Sequence, residues 1–398
     1  MTAEAAKLYH AGRFDEADRA YRSALAADPD DLDTLVGAGI VAVLHNRLDE
    51  ARTLLSQAIR RDPDNLRVLG ELVEIAYRQD DFPTMAGLLR RIAAHLDDEA
   101  RVPVEGAAAN LATFTTPWRR AGPPRDVRVP FEITDPLPMV RVTLDDRTTV
   151  PFLIDTGEHA VSVDRALAQD LGLRSHSVGV GVFAGGRRAA LDYGHLDTLA
   201  MGEFRMHDVP VTILDLTALG EVGGLPVRGV LGTAFLYHHL ATIDYPGGAL
   251  VLRPATPDRL AALEHRHAAP FWLSGTHYIL ARGTFNGSAP MLFFVDTGIP
   301  DGAFAAPMST LERAGVRFGA PTTVAGGGGA TTVVPFPVDE LTLGTVRRSD
   351  LHGCHYADEH DEDHVQGRDF PVGGTISHQF FRPYALTFDF VGMRLFLT

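Results

Sequence analysis

Over the first hundred residues apolar side chains recur every three or four positions, the spacing of amphipathic helices. Gly12-Arg13-Phe14-Asp15-Glu16-Ala17 through Ala27-Asp28-Pro29-Asp30 is echoed by Asn46-Arg47-Leu48-Asp49-Glu50-Ala51 through Arg61-Asp62-Pro63-Asp64, an offset of 49 − 15 = 34. A weaker third copy begins near Asp81-Phe82, so about three helix pairs are expected in residues 1–97. Residues 98–130 carry Pro103, Pro117, Pro123, Pro124 and Pro130 among Arg and Gly, which disfavours helix and central strand alike and predicts a linker. Beyond it the pattern shortens to β-rich runs. Val140 to Leu144, a turn at Asp145-Asp146 and Val150 to Ile154 read as one hairpin. Tyr278 to Phe285, a turn at Asn286-Gly287 and Met291 to Val295 read as another.

Both hairpins run into the same tripeptide, Asp155-Thr156-Gly157 and Asp296-Thr297-Gly298. The correspondence continues with Gly172 and Gly315 (143 apart), Leu199 and Leu341, Gly202 and Gly344, Arg205 and Arg347, Asp208 and Asp350 (142), and Thr242-x-Asp244 with Thr387-x-Asp389 (145). A nearly constant offset over more than a hundred residues is a duplication. The 34-residue period, with small and aromatic residues at packing positions and a proline at the turn, resembles the tetratricopeptide repeat. Repeats of that kind imply a surface for a peptide or protein partner, though no residue identifies one.

One Asp-Thr-Gly is a weak signal; two at matching places in a duplicated β unit are strong. With Phe152-Leu153-Ile154 and Phe293-Phe294-Val295 before them, Gly229-Val230-Leu231-Gly232, and the closing segments Ala241 to Tyr245 and Leu386 to Phe390, the sequence resembles the aspartic peptidases, particularly the retropepsin-like bacterial relatives of retroviral proteases. The resemblance implies a multidomain chain: a tetratricopeptide-like all-α solenoid over 1–97, a linker over 98–130, and an all-β two-lobed acid-protease fold with lobes 131–254 and 271–398 and a connector 255–270. It implies Asp155 and Asp296 as the catalytic pair. Two carboxyls about 3 Å apart do not both ionise readily, so the pair shares one proton; one carboxylate activates a water while its protonated partner polarises the amide carbonyl. No metal and no cofactor is called for. Thr156 and Thr297 supply hydroxyls to fix the loops from beneath, and Gly157 and Gly298 let the backbone pass close to the carboxylates. Retroviral members dimerise, whereas this chain carries both halves, so the dyad is expected to be intramolecular. In the family a flap closes over the substrate about 30 residues after each Asp; here those regions are Gly185, Gly186 and Arg187, and Gly327 and Gly328. Two flexible surface turns are the plainer reading of the same glycines.

Some residues depart from the family pattern. Glu158 and Ile299 follow the two tripeptides where a small or hydroxyl residue is usual. Glu158 is expected either to raise the dyad's affinity for its proton or to point to solvent. Ser377 stands where the first lobe has Gly232; Ser377→Gly is expected to be neutral or mildly activating if the site binds extended peptide symmetrically, and to cost about 2- to 12-fold in turnover if the hydroxyl contacts a specialised substrate. His360 and His364, four apart, would share a helix face as some zinc sites require. The duplication aligns that stretch with the loop from Asp215 to Pro226, and a hydrated acidic connection is the simpler expectation. Cys354 is expected in a packed strand, and His238 and His239 partly exposed. No Gly-x-Ser-x-Gly supports a serine nucleophile.

Of 398 residues 45% are apolar and 22% charged, enough for substantial cores in two or three domains. The formal charge of −15, with no basic block, argues against nucleic acid or an anionic membrane as partner. A single cysteine excludes an internal disulfide framework. Residues 1–12 lack a signal's apolar core and no run suits a membrane span, so a cytoplasmic location is expected. The expected activity is a single-chain aspartic endopeptidase whose helical repeat recruits a peptide or protein substrate. Acid-base chemistry on a peptide-like metabolite and a non-catalytic binding module are the alternatives.

Overall fold

The computed structural model describes residues 2–114, 116–183, 187–263, 268–300, 302–326, 329–357 and 369–398. The chain forms two compact units.

The helical unit comprises α1 (Thr2–His10), α2 (Phe14–Ala27), α3 (Leu32–Leu44), α4 (Leu48–Arg61), α5 (Leu66–Arg78), α6 (Phe82–Ala93) and α7 (Asp98–Leu111). Its 34-residue period is written in the backbone. Gly12, Asn46 and Asp80, each 34 beyond the last, take left-handed φ of 68°, 55° and 56° at the turn inside each pair. Gly and Asn tolerate that conformation best, for want of a Cβ or through local side-chain hydrogen bonds. Asp31 and Asn65, also 34 apart, cap α3 and α5 by accepting the N–H groups of Thr34 (3.0 Å) and Val68 (3.1 Å). Phe14 and Phe82 are fully buried, as are Ala17 and Ala51, so the repeated positions are those that bind neighbouring helices together.

Residues 98–111, expected as linker, are α7. Asp97 caps it by accepting the Ala100 N–H (2.9 Å), and an alanine-rich second half outweighs Pro103 inside the helix. The rest of the expected linker contributes the short strand Val127–Pro130. Two segments expected in the second lobe, Trp272–Thr276 and residues 369–371, belong to the helical unit. The buried Arg78 guanidinium fixes the first, donating to the carbonyls of Leu273 (2.9 Å) and Gly275 (2.8 Å) while pairing with Glu74 (2.7 Å).

The β unit is built twice on one plan. Hairpin Met139–Leu144 with Thr148–Ile154 matches hairpin Tyr278–Phe285 with Met291–Val295. Both turn through two residues of positive φ, Asp145 (48°) and Asp146 (55°) against Asn286 (46°) and Gly287 (75°), the twist that suits tight hairpins. Each second strand lies parallel to a short partner, Gly229–Leu231 or Gly374–Ile376, which pairs antiparallel on its other side with Val161–Asp164 or Phe304–Ala305. Positive φ recurs at Gly172 and Gly315, Gly202 and Gly344, and Asp208 and Asp350. The lobes are joined by Leu240–Asp244 pairing antiparallel with Ala385–Asp389, where Thr242 lies opposite Thr387 and their hydroxyls are 2.7 Å apart. Flanking strands Ala249–Arg253, Val127–Pro130, Arg394–Leu397 and Ala269–Ser274 extend that sheet symmetrically. Phe152 and Phe293, each fully buried three residues before its Asp, pin the two active strands to their lobes.

Candidate active site

The strand pairing delivers Asp155 and Asp296 in mirrored fashion. Asp155 N–H donates to Leu231 O and Asp296 N–H to Ile376 O, both at 3.1 Å, so each aspartate hangs from the short strand parallel to its own. Beneath them Thr156 and Thr297 exchange hydrogen bonds. The N–H of each donates to the other's Oγ1 at 3.1 Å, and the hydroxyls donate onward to Val295 O (2.8 Å) and Ile154 O (3.3 Å). Both threonines are fully buried. Four reciprocal bonds therefore lock one lobe's loop to the other's, and neither loop is complete alone. Gly157 and Gly298 each donate an N–H at 2.7 Å to their own lobe's aspartate. A Cβ on Gly157 would stand 2.5 Å from the Asp296 carboxyl carbon, and one on Gly298 2.2 Å from that of Asp155, so only glycine lets the loops cross this closely.

The two carboxyls are hydrogen-bonded to each other. Both residues are only half-buried by surface, yet protein atoms crowd the carboxyls enough that desolvation leads the electrostatics. Burial pushes Asp155 well above the usual carboxylate range, helped by the charge of the neighbouring Asp296 and by the hydrogen bond between the two carboxyls. Burial also raises Asp296, opposed by the Gly298 N–H and the bond from Asp155. The direction common to both is upward: the pair holds one proton where isolated carboxyls would have lost theirs.

Glu158 does not point to solvent. Its Oε1 accepts the N–H groups of His159 (2.8 Å) and Ala160 (3.2 Å) and lies 2.9 Å from His159 Nδ1. Burial opposes its charge, but the His159 hydrogen bond and charge and the Ala160 N–H hold the carboxyl down at about 2. Its negative charge raises Asp155 further, the first of the two outcomes expected for it. Ser377 is fully buried, and its Oγ accepts the Ile299 N–H at 3.1 Å. In the first lobe the same place has no room: a Cβ on Gly232 would meet Ala160 O at 2.2 Å and Glu158 O at 2.5 Å. Ser377 is thus a support for the second loop, through a bond to Ile299 that a glycine at that place would not make.

Gly185, Gly186, Gly327 and Gly328 lie outside the described residues, as does the side chain of Arg187. The strands leading to them pair as hairpins, Ser175–Phe183 with Arg187–Met201 and Thr322–Gly326 with Gly329–Leu343. His360 and His364 also fall outside the described residues. Cys354 is half-buried on the strand Val346–Tyr356. His239, expected partly exposed, is buried: its Nδ1 lies 3.1 Å from Phe235 O, and burial lowers it to about 4. Sequence reasoning gave Tyr245 no role beyond its place in a closing segment. Its ring is 2% exposed, its hydroxyl has no hydrogen-bond partner among the described residues, and burial and the Asp155 charge together disfavour its ionisation. The tyrosine follows Thr242-x-Asp244 directly, but Phe390 occupies the matching place in the second lobe, so the duplication hides it.

A model of the aspartyl protease family matches residues 140–235 and 281–370, and one of the tetratricopeptide repeat matches residues 8–69. No curated protein matches the chain in sequence. Among solved structures, basic 7S globulin from soybean is similar at 11% identity and a TM-score of 0.39, over 69% of this chain and 95% of that one. A retropepsin-like aspartic protease from Rickettsia conorii is similar at 14% identity and a TM-score of 0.23, over 34% of this chain and 95% of that one. Neither likeness is close enough to bear on function. The two aspartyl protease matches each contain one Asp-Thr-Gly, so the chain carries two tandem segments similar to that family, with a segment similar to the tetratricopeptide repeat ahead of them.

Proposed function

We propose that the chain is an aspartic endopeptidase that works as a single polypeptide. The observation that carries this reading is the mirrored pair: two crowded carboxyls facing each other across the lobes, each held by its own loop's glycine N–H and each pushed upward by burial. In that state the ionised carboxylate takes a proton from water as it attacks a peptide carbonyl, and the protonated partner donates toward the carbonyl oxygen. The proton then passes to the departing amine, so neither metal nor covalent intermediate is involved. The threonine exchange supports the reading by fixing the distance between the carboxyls before substrate arrives. The helical repeat is read as the part that recruits a protein or peptide. Digestion of a peptide library across a pH range tests the proposal: wild type cleaves, and Asp155→Asn does not. Cleavage retained by a folded Asp155→Asn chain would refute it.

One feature favours a second reading, acid-base chemistry on a specialised substrate. The polar surroundings of the dyad are one-sided, with half-buried, ionised Glu158 in the first lobe and apolar Ile299 in the second. An extended peptide imposes no such asymmetry. Turnover of a small molecule that depends on Asp155, without cleavage of any library peptide, would establish this reading instead.

A further inference from the structure

The helical unit holds a short piece of chain that the repeat itself does not supply. Phe370 is 6% exposed, its ring set edge-on against Phe14 (centroids 4.8 Å apart) and Tyr9 (5.7 Å). Asp369 places its carboxylate 2.8 Å from the Arg67 guanidinium, and its carbonyl oxygen lies 2.8 Å from His10 Nδ1. Arg67 also lies over the Tyr9 ring, 5.9 Å from its centroid. These contacts come from α1, the start of α2 and the start of α5. They read a side chain, a main-chain carbonyl and a second side chain in sequence, as a peptide-binding surface does.

One cavity adjoins the segment and a second adjoins the residues that hold it. The first, about 350 Å³, is lined by Tyr9, Arg67, Glu71, Asp369 and Phe370. The other, about 540 Å³, shares Tyr9, Ile40 and Arg67 with the first, is also lined by His10, and continues along α3 past Tyr21 and Asp33. The surface is thus longer than the dipeptide on it, and has room for several more residues of a ligand.

We propose that this face of the repeat is a docking site for an extended peptide carrying an acidic residue followed by an aromatic one, and that Asp369-Phe370 occupies it as a ligand in cis. The partner is a protein presenting that pair in an accessible segment. The buried ring supplies most of the affinity, because the Asp369–Arg67 pair is about half exposed on both sides and such pairs contribute little net stability. Arg67 instead selects an acidic neighbour over a basic one. A tethered ligand competes at an effective concentration in the millimolar range, so a partner gains the site only by outbinding the resident segment or when that segment is withdrawn. This inference does not depend on the peptidase reading, since it concerns the helical unit alone.

The test is fluorescence anisotropy with a labelled peptide copying residues 367–372, Gly-Arg-Asp-Phe-Pro-Val, titrated with full-length chains. Asp369→Ala/Phe370→Ala frees the face and is expected to bind the peptide saturably, at least 10-fold more tightly than wild type. Adding Arg67→Glu is expected to weaken that binding several-fold, and a peptide with Ala in place of Phe is expected not to bind. Absence of saturable binding by the freed, folded chain overturns the proposal, as does binding indifferent to both Arg67→Glu and the loss of the peptide's Phe. A wild-type dimer that disappears in the freed chain also overturns it, assigning the face to a second copy. Should the double variant lose its helical circular dichroism, wild type is titrated with the peptide into the millimolar range. Saturable binding there that Arg67→Glu removes upholds the proposal, and none overturns it.

Discussion

Replacing Ser377 by alanine removes one hydroxyl and little else, which makes it a clean probe of how the second catalytic loop is held. The Oγ accepts the Ile299 N–H at 3.1 Å in a place where Ser377 is fully buried and Ile299 is 8% exposed, so water has little access to the stranded donor. Leaving a buried donor unpaired costs about 1–3 kcal/mol. Ser377→Gly adds the backbone freedom of glycine, roughly 0.5–1 kcal/mol more. For a unit of this size each kcal/mol moves Tm by about 2–4 °C, so thermal unfolding followed by circular dichroism should fall by on the order of 5 °C for the alanine variant and somewhat further for glycine. Ile299 adjoins Gly298, whose N–H holds Asp296, and the loosened loop should lower kcat by about 2- to 12-fold, a hydrogen bond's worth. The reverse exchange, Gly232→Ser, should be worse than either, because its Cβ meets two carbonyl oxygens within 2.5 Å. A Ser377→Gly chain with unchanged Tm and kcat/KM would refute this account and return the residue to a mere difference between lobes.

Asp155→Asn and Asp296→Asn should each lower turnover by roughly 10²–10⁴-fold without loss of fold, and the double variant should be no worse than the poorer single, since the two carboxyls act as one unit. Asp155 has its affinity for the proton raised by folding, so its contribution to stability is present below the ordinary carboxylate range and is lost as pH rises through its folded value. Asp155→Asn should therefore gain Tm relative to wild type as pH is taken from 3 to 8; a difference constant with pH would contradict the shared-proton assignment. Glu158 behaves oppositely: held at about 2, it stabilises the fold above about 4.5 and loses that contribution as pH falls toward 2. Glu158→Gln should destabilise the chain at pH 6 but not near pH 2. By removing a charge that raises Asp155, it should also move the alkaline limb of the rate profile to lower pH, and a limb that stays put would count against the coupling. Specific activity should be independent of dilution, because both aspartates lie in one chain; a fall in step with subunit dissociation would require a second copy.

Repetition made much of this molecule legible in its sequence. The 34-residue echo marks the positions that become Gly12, Asn46 and Asp80 at their left-handed turns, and the offset near 142 marks Gly202 and Gly344, Asp208 and Asp350 at theirs. The dyad was legible for the same reason, since each Asp ends a strand of the same hairpin. What repetition does not reach stayed hidden. Helix α7 was obscured because Pro103 reads as a breaker, although a capping Asp97 and three consecutive alanines carry the helix past it. The place of Phe370 in the helical unit rests on contacts with residues more than 350 positions earlier, for which local pattern holds no signal. The fates of Glu158 and Ser377 depended on which backbone N–H lay within reach of each side chain, a matter of tenths of an ångström.

The exchange of hydrogen bonds between Thr156 and Thr297 needs two loops, but it does not need them to be identical. When such a site is assembled from two copies of one polypeptide, symmetry writes every substitution into both halves at once. A change that suits one side must then be bearable on the other. Here a serine at the position of Gly232 would collide with two carbonyls, while a serine at 377 is a support. A symmetric dimer encoding that serine would suffer the collision and the support together. Fusion of the halves lets each residue be inherited singly, so one side can keep its glycine and acquire a half-buried carboxylate while the other takes a hydroxyl and an isoleucine. The covalent link is therefore a licence for the halves to diverge, with the threonine exchange as the one part of the arrangement that must go on matching.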